Sequence, residues 1–272
     1  MAKIIAIANQ KGGVGKTTTT INLASFVAYM GKRVLVIDLD PQGNSSSGLG
    51  IDKHKLEFSI YGVLLGDCTA RQATIETRVP NLFIMPANNH LSGAEIELTS
   101  FVDRESVLKK ILEPLHDKYD YIFIDCPPSL ALLTVNALTA ANSVLITIAC
   151  EFFALEGLSR LMNTIKSIKN LDLNKNLDVE GVVMTLFDGR SSVTQMRAEE
   201  VSKYFGKRVF QTKIPRNIKL SEAPSYGLPI MQFDPKSTGA LAYYQLALEF
   251  LKRNKDNIKP IENLSKLKVR ID

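Results

Sequence analysis

Two lysines, Lys11 and Lys16, bracket a glycine-rich run, Gly12-Gly13-Val14-Gly15, and two threonines, Thr17 and Thr18, follow it. Glycine tolerates φ > 0 and carries no side chain, so such a run lets backbone N–H groups close around an anion. A lysine at its end brings positive charge to the β- and γ-phosphates of a nucleotide, and the adjoining Thr17 hydroxyl is a ligand for Mg²⁺. The general phosphate-loop pattern G-x-x-x-x-G-K-[ST] is not met, because Gln10 stands where it asks for glycine. What stands here is K-G-G-V-G-K-T-T, with the additional lysine, Lys11, at the mouth of the loop.

Two aspartates could complete a phosphoryl-transfer site. Asp40 lies in D-L-D-P-Q-G-N, residues 38–44, after an apolar run. Phosphoryl transfer needs alignment and charge neutralisation above all, so a carboxylate that orients the attacking water is the expected device there. Asp38 reads as a structural residue at the strand end. Asp125 closes Asp120-Tyr121-Ile122-Phe123-Ile124-Asp125 and is placed to hold Mg²⁺ through a water, opposite Thr17. The two prolines of Cys126-Pro127-Pro128-Ser129 make a stiff loop suited to report the γ-phosphate.

The elements that must position these residues follow from the pattern. Ile4–Ala8 reads as a buried strand, Thr19–Met30 as a helix, and Arg33–Asp38 as a second strand. Further strands are expected at Asn81–Pro86, Asp120–Asp125, Ser143–Ala149, Val179–Phe187 and Val209–Ile214. Helices are expected at Ser59–Gly66, Arg104–Lys118, Phe152–Leu171 and Ser192–Phe205. Alternating strand and helix implies α/β class: one doubly wound domain with a mostly parallel central sheet flanked by helices. The domain is expected over residues 1–253, followed by a polar, flexible tail over 254–272.

Composition narrows the function classes. No apolar run approaches the roughly 18 residues of a membrane span, and with the first strand beginning directly after Met1-Ala2, neither a signal peptide nor a preceding DNA-reading domain is expected. Three cysteines at unrelated spacings suggest a reducing compartment, and three histidines show no metal-ligand spacing. The formal net charge is +5, but from Arg190 onward there are 16 Lys+Arg against 8 Asp+Glu, while the first 189 residues carry 17 against 20. A segregated basic region points to an acidic partner such as nucleic acid or an anionic membrane.

The K-G-G-V-G-K-T-T loop, D-L-D-P-Q-G-N, D-C-P-P-S and the late strings I-P-R-N and L-S-E-A-P-S together resemble the ParA/Soj-type partitioning ATPases, in the deviant Walker A (ParA/MinD) group of P-loop proteins. The resemblance runs from Lys3 to about Arg253. It implies ATP/ADP and Mg²⁺ as cofactors. It also implies an ATP-bound sandwich dimer in which Lys11 reaches the partner's nucleotide, with Pro215 and Asn217 against the adenine. Arg190 matches a position that contacts nonspecific double-stranded DNA, Lys219 follows a second such position, and Arg216 is a neighbour. A ParB-like centromere-binding protein would stimulate hydrolysis in a cytoplasmic, nucleoid-associated enzyme. The alternative is a MinD-like membrane-surface ATPase that positions cell division. D-P-Q-G-N and a tail interrupted by Pro260 argue against it.

Overall fold

The computed structural model describes residues 1–150 and 154–261. The chain runs β1 (Lys3–Ala8), α1 (Lys16–Tyr29), β2 (Val34–Asp38), α2 (Asn44–Gly48), α3 (Ile60–Leu65), α4 (Ala70–Ala73), β3 (Ile75–Glu76) and β4 (Leu82–Met85). It continues through α5 (Leu91–Glu97), α6 (Val107–Leu112), β5 (Tyr121–Asp125), α7 (Leu132–Ala140), β6 (Ser143–Ala149) and α8 (Ala154–Asn170). β7 (Asp178–Thr185), α9 (Ser192–Phe205), α10 (Ile218–Glu222), α11 (Ile230–Phe233) and α12 (Thr238–Arg253) complete it. The strands form one sheet in the order β3-β4-β2-β5-β1-β6-β7. All pairs are parallel except β3 with β4.

Burial on both faces explains the continuous apolar runs of the strands. Successive residues of β1 alternate between two cores: Ile4, Ala6 and Ala8 face one layer of helices, Ile5 and Ile7 the other. The second layer is built by α1 and α12, with Phe26, Tyr243, Leu246 and Phe250 fully or almost fully buried. Because every parallel strand points the same way, the segments after β1, β2, β5 and β7 emerge at one end of the sheet, where ligands of such folds bind.

Two expected elements come out differently, and one strand was not expected. The helix expected over Arg104–Lys118 holds only at Val107–Leu112 and continues as a 3-10 turn at Glu113–Leu115. Pro114 supplies the reason, since it has no N–H for the helix. The strand expected at Val209–Ile214 is not a named strand: it makes one isolated bridge, Val182 with Val209, and the next bridge, Phe187 with Pro215, falls just beyond it. The antiparallel edge strand β3 lies in a stretch that carried no strand pattern. The helix start expected at Phe152 and the basic cluster Lys266, Lys268 and Arg270 lie outside the described residues.

Beyond α12 the chain stays tied to the domain as far as Ile261. Asp256 bonds Lys32 and the Tyr121 hydroxyl, and Asn254 donates to Glu180 at 2.9 Å. Ile258 and Ile261 pack against the second core. No described helix is long and apolar enough to cross a membrane.

The segment after α9 is held against β7 by one small residue. A Cβ at Gly181 would lie 2.4 Å from the Phe210 ring and 2.8 Å from the Arg208 carbonyl oxygen. Gly181→Ala should therefore cost about 1–3 kcal/mol through overpacking, read as a lower urea midpoint with unchanged slope. An unchanged midpoint would show that residues 208–210 move away without loss.

Candidate nucleotide site

The loop between β1 and α1 is shaped for an anion. Gly13 and Gly15 have φ of 73° and 77°, which side-chain-bearing residues rarely adopt. Helix α1 starts on Gly15 with no side-chain cap and no acidic residue in its first turn. Its first N–H groups and the positive end of its dipole are left for a ligand. Neighbouring elements brace the loop. Asn9 donates to the Thr147 carbonyl at 2.7 Å and accepts from the Lys11 N–H at 3.0 Å. From β7, the Thr185 hydroxyl donates to the Val14 carbonyl at 2.8 Å.

Lys16 is buried, and its ammonium donates to the Lys11 carbonyl at 3.3 Å. Burial pushes it below the ordinary lysine value, while Asp125 and Asp40 beside it pull it back up. Lys11 is half-buried, and its Cβ lies 3.8 Å from the point a Cβ on Gly157 of α8 would occupy. Gly12 and Gly13 are exposed, Val14 is buried, Thr17 and Thr18 half-buried.

The carboxylates meet at the ends of adjacent strands, where Asp38 of β2 and Asp125 of β5 are register partners. Both are fully buried. Asp125 accepts from the Ser45 hydroxyl at 2.7 Å, from Thr20 at 3.2 Å and from the Thr17 hydroxyl. Asp38 accepts from the Ser46 N–H and hydroxyl, both at 2.7 Å. Burial raises both acids above their ordinary values, and Asp125 raises Asp38 further. The hydroxyl bonds from Ser45 and Thr17 act the other way on Asp125. Asp40 stands beside them, with its Oδ1 accepting the Gln42 N–H at 2.9 Å.

Asp125 and Asp40 therefore face one lysine, and the buried pair at the strand ends, Asp38 and Asp125, holds its protons unusually tightly. That is a site short of positive charge, with oxygen donors at Thr17 and Asp125, and a hard divalent cation fits it.

Beside Gly15, Thr17 and Thr18 opens a cleft of about 440 Å³, whose wall includes Pro215, Asn217 and Tyr243. Pro215 is bridged to Phe187. The Asn217 amide caps α10, accepting from the Lys219 N–H at 2.9 Å and donating to Thr238 at 2.7 Å. The basic residues divide. Arg190 is almost fully exposed, 3.5 Å from Asp188, and the Arg216 charge also acts on Asp188. Lys219 pairs with Glu222 at 2.8 Å. By contrast, Arg208 is held by Asp178, while Arg253 bonds Glu249 and two carbonyls and lies 4.0 Å over Phe210. Those two charges serve the fold.

Sequence reasoning missed Thr20, Ser45, Ser46, Thr185 and Asn9. The first three had a signal in the hydroxyl-rich runs after the loop and after D-P-Q-G-N, since Thr20 is three residues from Thr17 on the same helix face. Thr185 and Asn9 come to the loop only through sheet packing.

Known proteins carry the same architecture. A family model described as an AAA domain matches residues 2–179. The sporulation initiation inhibitor protein Soj of Bacillus subtilis is 53% identical over 249 residues, 92% of this chain and 98% of Soj. The chromosome partitioning protein ParA of Caulobacter vibrioides is 48% identical over 93% of this chain and 96% of its own. Among solved structures, cobyrinic acid a,c-diamide synthase from Mycobacterium smegmatis with bound ADP and magnesium superposes with a TM-score of 0.81 at 35% identity, covering 97% of this chain and all of that one. The septum site-determining protein MinD of Pyrococcus horikoshii complexed with Mg-ADP has a TM-score of 0.76 at 28% identity, covering 92% and 96%. Matched along almost its whole length by Soj and ParA at about half identity, the chain belongs to the ParA/Soj-type partitioning ATPases of the deviant Walker A P-loop group.

Proposed function

We propose that the chain is an ATP-driven DNA-partitioning switch. The observation that carries the reading is the shared carboxylate. Asp125 bonds the phosphate-loop helix through Thr17 and Thr20 and the segment after Asp40 through Ser45. A nucleotide that engages the loop is thereby coupled to the catalytic segment. ATP binds the α1 N-terminus and Lys16, with its base in the cleft at Pro215 and Asn217. Thr17 would hold Mg²⁺ directly and Asp125 through a water, and the ion would supply positive charge at the phosphates. Asp40 orients the attacking water. Lys11 closes a homodimer across the nucleotide, and the dimer binds double-stranded DNA nonspecifically through Arg190, Arg216 and Lys219. Hydrolysis, stimulated by a ParB-like partner, releases the DNA. The protein then works on the nucleoid, in the cytoplasm. The domain boundary is set at Arg253, with residues 254–261 lying against the domain.

The relatives that support this reading, Soj and the chromosome partitioning protein ParA, are about half identical to the chain. The likeness to MinD is weaker in sequence, at 28%. Vesicle flotation with ATP would favour the membrane reading if the protein rose with the lipid.

Three substitutions test the roles. Lys16→Ala should abolish ATP binding, measured by titration with a fluorescent analogue; retained affinity would remove the loop from the mechanism. Asp40→Ala should keep ATP and DNA binding and lose turnover by at least about 100-fold, at the lower end of what general-base removal costs. Normal hydrolysis would refute the assignment of Asp40. Arg190→Glu should keep ATP-dependent dimerisation and lose retention on random-sequence duplex. The wild-type binding should weaken steeply as salt rises, as phosphate contacts require. Undiminished retention would place the DNA surface elsewhere.

A further inference from the structure

We propose that Lys53, a residue with no part in the phosphate loop, is a positioning residue for Asp40. The inference rests on the catalytic reading of Asp40 given above. Asp40 sits in a tight turn whose two internal bonds run from the Gln42 N–H to its Oδ1, at 2.9 Å, and from the Gly43 N–H to its own carbonyl, at 2.8 Å. The Lys53 ammonium reaches across from the segment after α2 and donates to the Gln42 carbonyl at 2.5 Å. That carbonyl belongs to the same peptide group as the Gly43 N–H. A cation on its oxygen polarises the group, so the N–H donates more strongly to Asp40. The turn closes, and the carboxylate is held toward Gln42.

A second observation supports the strap independently. Gly43 has φ of 60°, and a Cβ on it would lie 2.5 Å from the Lys53 Cδ and 3.2 Å from the Ala87 carbonyl oxygen. The aliphatic stem of Lys53 thus lies across Gly43, and the turn has room for it only because no side chain stands there. The far end of the turn is anchored separately, by Ser46 on Asp38 and by the Ala87 N–H on the Ser46 hydroxyl at 3.0 Å. Lys53 therefore fixes the middle of a segment whose ends are already held.

Lys53 is half-buried and lines an open cleft of about 510 Å³ with His54, Tyr61 and Asn88. Truncating it leaves no sealed void, so the variant should fold. Lys53 does not touch the nucleotide cleft. Its effect should appear in turnover and not in nucleotide affinity.

The experiment measures kcat, ATP affinity and Tm for the wild type, Asp40→Ala, Lys53→Ala, Lys53→Arg and Lys55→Ala. Loss of a positioning contact should lower kcat by about 10- to 100-fold in Lys53→Ala, with ATP affinity and Tm at wild-type values. Lys53→Arg, which keeps a cationic donor, should recover most of the rate. Lys55 pairs with Asp52 at the surface, and Lys55→Ala should match the wild type. A wild-type kcat in Lys53→Ala, beside an inactive Asp40→Ala, would overturn this inference and leave the proposed function standing. A parallel fall of ATP affinity and kcat would also overturn it. No turnover in the wild type, or full turnover in Asp40→Ala, would overturn the reading of Asp40 and this inference with it.

Discussion

The structure depends on two buried carboxylates placed side by side at the ends of neighbouring strands. Asp38 and Asp125 end adjacent parallel strands in register, and both are fully buried. Burying two like charges is costly unless donors compensate them. Here the compensation comes from hydroxyls: Ser46 for Asp38, and Ser45, Thr17 and Thr20 for Asp125. A hydrogen bond to a charged group is worth about 1.5–3 kcal/mol. Those donors come from α1 and from the start of α2, so the same bonds that make the carboxylates tolerable lock the phosphate loop to the segment that follows Asp40. Stability and communication between the two loops share one cause.

The remaining charge imbalance has a chemical meaning. Lys16 is the only buried cation among the described residues, against three buried or nearly buried acids. Asp38 and Asp125 hold protons more tightly than usual and Lys16 less tightly, in each case chiefly because burial disfavours the charged form. A fold kept purely for stability would replace such a cluster with apolar residues. A site that must take up a divalent cation with a polyphosphate has reason to keep it.

The basic character of the last third resolves into two populations. Arg253 and Arg208 spend their donors on carbonyls and carboxylates of their own domain, with Arg253 stacked on Phe210. Arg190 projects into solvent beside a single Asp188 contact. Charge counts could not separate these, because a guanidinium that stabilises a packed segment and one that stands in solvent look alike in a string of letters.

By itself, the sequence determined the class of fold and the chemistry of the loop. Continuous apolar runs demand a sheet covered on both faces. Glycine spacing and the two lysines demand an anion site, and aspartates at strand ends follow the geometry of a parallel sheet. These are local rules, so they survive in one dimension. Only the tertiary structure decided the partners. It brought Thr185 under Val14, Asn9 onto Thr147, Ser45 onto Asp125 and Lys53 onto Gln42. It also shortened the helix before Pro114 and reduced the strand expected at Val209–Ile214 to an isolated bridge. Those outcomes depend on which strands become neighbours and on where one glycine lets a ring approach. Contacts between residues far apart in the chain leave no periodicity for a sequence to display.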